Sequence, residues 1–69
     1  MMIIMGNILK QLASLEPNSV REALVLPYPD EDAVMAELEA ALMRVLFNGG
    51  TAIVAKDWDA AMELRNSIL

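Results

Sequence analysis

Sixty-nine residues leave room for one small domain, and the chain contains neither Cys nor His. Disulfides, thiol catalysis, Ser-His triads and the usual zinc sites are thereby excluded. The net charge of -5 works against a duplex-binding role, which needs clustered Lys and Arg, and the 57% hydrophobic content is far from that of a disordered acidic tail.

In chain order, Met2 to Met5 (Met-Ile-Ile-Met) reads as a short strand, because Ile is β-branched, or as an extra turn before the first helix. Gly6-Asn7 is a break and Asn7 a candidate N-cap, with Ile8, Leu9, Leu12 and Leu15 then recurring at helical spacing. Ile4 extends that stripe backwards, so a helix starting near Ile3 is the alternative. Pro17 stops the helix at or soon after Glu16. Gly6, Asn7 and Lys10 interrupt the apolar start, which has neither the leading positive charge nor the cleavage site of a signal peptide. Met1, Met2 and Met5 leave the start codon open.

Val20 to Leu26 supports two readings. The run Ala23-Leu24-Val25-Leu26 suits a buried strand of parallel type, which is the preferred reading. Ser19 and Glu22 have the spacing of a capping box, which suits a short helix. Pro27-Tyr28-Pro29 is rigid and turn-like.

Asp30 to Phe47 reads as the longest helix. Asp30, Glu31 and Asp32 supply an acidic cap and first turn, and Val34, Leu38, Ala41, Leu42, Val45 and Leu46 form one apolar stripe. Asn48-Gly49-Gly50 reads as its stop, through the left-handed cap conformation. Thr51 to Ala55 reads as a second buried strand, and Asp57 or Asp59 as the cap of a last helix. That helix has Trp58, Ala61, Met62, Leu64 and Ile68 as its apolar face, and Arg65 suits its negative end.

The order is (β)-α-β-α-β-α, a single α/β domain over residues 1–69 with a central long helix and a two- or three-stranded, mainly parallel sheet. The β-α-β unit implies a right-handed crossover. Two strands make a marginal sheet, so a third comes from Met2 to Met5, from a second copy, or from a partner.

No motif for chemistry stands out. Gly49-Gly50 follows a helix, whereas a phosphate loop follows a strand and opens a helix. Asp30-Glu31-Asp32 lacks the further spaced oxygens of a calcium loop. An enzyme, a cofactor and a metal are therefore not expected, nor is a membrane span, which needs about 18 uninterrupted apolar residues. Lack of Cys fits a reducing cytoplasm. The candidate partner-binding residues are Tyr28, held between two prolines, with Asp30, Glu31, Asp32, Glu37 and Glu39, and with Asp57, Asp59 and Glu63. If these acids face one way, the domain presents a negative patch to a basic protein surface; otherwise they form a solvated face.

In its length, its lack of a catalytic constellation and its acidic groups Asp30-Glu31-Asp32-Glu37-Glu39 and Asp57-Asp59-Glu63, the chain resembles the small acidic inhibitors of phages and mobile elements, anti-CRISPR proteins among them. That resemblance implies action in the host cytoplasm on a Cas surface that binds DNA, with acidic side chains in place of phosphates. The alternative is a homodimeric module of the antitoxin or anti-activator type, acting through an apolar face.

Overall fold

A computed structural model describes residues 1–67 in full and 68 as backbone. Met2–Met5 forms strand β1, Ile8–Ala13 helix α1 and Val20–Leu26 strand β2; Asp32–Val45 forms helix α2, Leu46–Val54 strand β3 and Trp58–Ile68 helix α3. The sheet order is β1-β2-β3 and both pairings are parallel. The chain is thus an α/β domain, and Met2 to Met5 is its third strand rather than a turn of helix.

Two successive crossovers in one direction and of one hand place α1 and α2 on the same face of the sheet. That face holds the larger core: Ile4, Ile8, Leu12, Val20, Ala23, Val25, Leu38, Leu42 and Val45. Alternation along β2 sends Leu24 and Leu26 to the other face, where they pack with Ala55 and Ala61 under α3. Helices therefore cover both faces of β2, which is why the run Ala23 to Leu26 has no polar residue. Among the described residues no polar or charged side chain is buried.

The capping-box reading of Ser19 and Glu22 is overturned. Ser19 Oγ donates to the Glu16 carbonyl at 2.6 Å, while Glu22 lies inside β2 and accepts from Arg65 Nε at 3.2 Å. Caps elsewhere differ in the same direction. Asn7 and Glu31 occupy the N-cap positions of α1 and α2 without a side-chain cap bond, and α2 starts two residues later than expected. Asp57 does cap α3, its Oδ1 accepting from the Ala60 N–H at 2.9 Å.

The end of α2 differs most from expectation. The helix stops at Val45, and Leu46 is already extended and paired with Val20. Its last carbonyls need no glycine cap, because the Asn18 N–H donates to Arg44 at 3.0 Å and the Ser19 N–H to Val45 at 2.9 Å. Asn48-Gly49-Gly50 lies instead within β3, at an irregularity where two steps along β2 match five along β3. Gly49 takes a φ of 92°, and a Cβ on Gly50 would meet the Arg21 carbonyl oxygen at 2.8 Å.

Among the described side chains of α3, Ala61 is the buried one, with Ala60 and Met62 half-buried; Trp58 and Leu64, placed on the apolar face by periodicity, are exposed. Ala60, Ala61 and Met62 pack toward the sheet, while Trp58 and Leu64 turn outward. The side chain of Ile68 lies outside the described residues.

Candidate functional site

In a parallel sheet every strand-to-helix connection leaves from the same end. Here β2 continues into α2 on one face, and β3 continues into α3 on the other. The chain parts in opposite directions between the carboxyl ends of β2 and β3, which is the place where open α/β sheets form a crevice. A shallow crevice of about 470 Å³ lies there, lined by Tyr28 and Asp30 from the β2 exit, Val54, Ala55 and Lys56 from the β3 exit, and Ala60 and Leu64 of α3. A smaller depression of about 280 Å³ adjoins it along α3, lined by Ala60, Glu63, Leu64 and Ser67.

The topology divides the acidic candidates. Asp30, Glu31 and Asp32 precede α2, while Asp57 and Asp59 stand at the start of α3; both helices begin at the carboxyl end of the sheet. All five side chains are exposed. Their positions next to helix N-termini are favourable on their own account. Lys56 is the cation of this rim. Glu37 and Glu39 lie farther along α2, exposed on the outside of the α1–α2 layer, and Glu63 lies on α3, on the opposite face of the sheet. A single patch holding all the acidic candidates does not form. A rim at one end does, with separate acids on the two outer helix layers.

Two aromatic side chains stand at the same end. Tyr28, 52% exposed, lines the crevice, and Trp58, 46% exposed, opens α3. Neither is used up by the core, although both are large enough to anchor an interface. Val54, Ala55, Lys56, Ala60 and Leu64 line the crevice without having been candidate site residues. Their signal was positional: Lys56 is in the loop that follows a parallel strand, and Leu64 is one helical turn beyond Ala60.

Among the described residues no three acids are grouped so as to hold a metal ion. The described helices include none long and apolar enough to cross a membrane.

No family model matches the chain, and no solved structure matches it. Among curated proteins it is similar to "Protein purity of essence" of Drosophila pseudoobscura pseudoobscura, with 32% identity over 65 residues; the match covers 94% of this chain and 1% of that protein. The chain thus corresponds to a very small part of that relative's length.

Proposed function

We propose that this chain is a non-enzymatic protein-binding module that docks the carboxyl end of its sheet on a basic surface of a partner. The observation that carries this reading is that Asp30, Glu31, Asp32, Asp57 and Asp59, with the exposed Tyr28 and Trp58, all lie where the chain leaves the carboxyl end of the sheet. Carboxylates at a rim steer a basic partner and set orientation, while aromatic anchors supply contact area at little entropic cost. The open crevice beside Tyr28 suits one side chain of a partner better than a substrate held on all sides. In the anti-CRISPR-like form of this reading, the partner surface is one built to hold nucleic acid in the cytoplasm, and occupation by carboxylates blocks it.

The test is capture of partners from cell lysate on C-terminally tagged protein, at low and moderate salt. Wild-type protein should retain a basic partner that is released as salt rises. The Asp30→Lys/Asp32→Lys/Asp59→Lys triple variant should keep the same circular dichroism and lose that partner, and Tyr28→Ala should weaken it. Equal retention of the same partner by the folded triple variant would rule the acidic rim out.

A further inference from the structure

The opposite edge of the sheet carries a different kind of surface. Strand β1 pairs with β2 along one side only, leaving its other side as a sheet edge. The hydrogen bonds show which groups point outward. The Gly6 N–H donates to the Leu26 carbonyl at 3.1 Å, so the even-numbered residues of β1 turn toward β2. Ile3 and Met5 therefore turn their backbone groups to the open side. Gln11 Nε2 reaches the Met5 carbonyl there at 2.6 Å, which leaves the Ile3 N–H, the Ile3 carbonyl and the Met5 N–H for another strand.

The side chains on this edge are apolar. Ile3 is 44% and Met5 57% exposed, and Met1 and Met2 are also exposed. By register Ile3 lies beside Leu24 and Met5 beside Leu26, on the face that α3 covers over β2 but not over β1. An uncharged edge strand with free backbone groups is a template for strand addition.

We infer that the open edge of β1 is the interface between two copies of this chain, paired antiparallel about a two-fold axis into one continuous sheet. Two observations select a second copy as the occupant. Charge is the first. Residues 1–15 contain Lys10 and no carboxylate, whereas every one of the ten acids lies from Glu16 onward. Two chains of net charge -5 can approach with β1 foremost while keeping their acids toward the outside. No side chain of β1 is charged, so the edge selects neither a basic nor an acidic partner by its side chains.

Self-complementarity is the second. Ile3 offers a donor and an acceptor on the same side, so a two-fold axis lets the same set of groups satisfy itself, as an isologous interface requires. This interface runs along the outer side of β1, whereas the crevice opens between the ends of β2 and β3, so the two surfaces are distinct and the inference does not rest on the function proposed above. A strand of four residues buries less than the roughly 1,200 Å² of a stable interface, so the dimer is weak and concentration-dependent.

The experiment is sedimentation velocity of the full chain, tagged at its C-terminus, across a wide concentration range, with residue-resolved amide exchange by NMR on the same samples. The mass should rise from that of the tagged monomer toward twice that value. The Ile3 and Met5 amides should exchange more slowly as concentration rises, while Ile4, which faces β2, should not change. Ile3→Lys places a cation on both copies and should hold the chain monomeric at every concentration. Met43→Lys, at a side chain 80% exposed on α2, should dimerise like wild type. A chain that stays monomeric throughout, or Ile3 and Met5 amides that exchange at the same rate at every concentration, overturns the inference; the latter is the outcome if the edge serves another protein or another segment of a longer chain. Self-association retained in Ile3→Lys also overturns it. If Ile3→Lys does not fold, the wild-type exchange data decide alone.

Discussion

The Arg44 guanidinium on α2 donates through Nη2 to the Leu15 carbonyl at 2.8 Å and to the Leu12 carbonyl at 3.0 Å. One side chain thereby closes the last turn of α1, a helix of six residues too short to persist alone. The backbone carbonyl of the same residue accepts from Asn18. Arg44 therefore ties the α1–β2 connection to α2 at two points. A charged residue next to the negative end of a helix is favourable in itself, and the bonds are charge-assisted.

Replacing Arg44 with Ala should cost about 1.5–3 kcal/mol, the range for hydrogen bonds to a charged donor. Arg44→Lys should recover only part of it, because an ammonium is more strongly hydrated than a guanidinium and gives up more on docking against the carbonyls. Urea midpoints of the three proteins check this. A midpoint for Arg44→Ala equal to wild type would mean that water replaces the guanidinium without loss.

At Gly50 there is no room for a side chain. A Cβ there would sit 2.8 Å from the Arg21 carbonyl oxygen and 2.9 Å from the Phe47 carbonyl oxygen, both of them backbone. Gly50→Ala should therefore cost about 1–3 kcal/mol through displaced backbone, with the largest amide shifts at Arg21 and Thr51. Gly6→Ala meets nothing within 4 Å, and its φ of 82° is the whole difficulty. Its cost should be about 1–2 kcal/mol, without long-range shifts. Long-range shifts in Gly6→Ala, or none in Gly50→Ala, would contradict the surroundings of these two glycines.

The two faces of the sheet can be weighed against each other. Leu38 belongs to the larger core and Leu24 to the smaller one, and both are fully buried. Each should lose about 2–5 kcal/mol on truncation to Ala, enough to unfold much of a domain this small. Thermal melts read both. A markedly cheaper Leu24→Ala would indicate that α3 leaves the sheet readily.

Charge at the Glu22–Arg65 pair should matter little. Their side chains are 40% and 36% exposed, so water screens the 3.2 Å contact. Glu22→Gln should cost less than about 1 kcal/mol, and the difference should vanish in high salt. Asp57→Ala removes a helix cap and should cost about 1 kcal/mol. A denaturation series in which Glu22→Gln is worse than Asp57→Ala would reverse this ranking.

Most elements were legible because their signals are local. The apolar periodicity of Val34, Leu38, Leu42 and Val45 identifies α2, and the unbroken run from Ala23 to Leu26 identifies a strand buried on both faces. The candidate site was legible only in pieces. Tyr28 and the acids from Asp30 to Asp32 stand out in the chain, as do Asp57 and Asp59, yet nothing local shows that the two groups share an end or that Glu37, Glu39 and Glu63 stand apart from it. Lys56 carried no signal of its own and became a site residue only through the loop it occupies.

Composition and periodicity alone determined the α/β class, the alternation of strand and helix, and the absence of disulfide and histidine chemistry, since these depend on residue type and on spacing within a single element. The tertiary structure alone decided where α2 ends, because the carbonyls of Arg44 and Val45 are satisfied by amides of Asn18 and Ser19, far back in the chain. It likewise decided that Glu22 meets Arg65 instead of capping a helix, and that Leu64 faces outward while Ala61 faces the sheet. Each of those outcomes is a competition between a local partner and a distant one. The distant partner wins where folding brings both ends of the contact to one place, and no window of neighbouring residues contains that information.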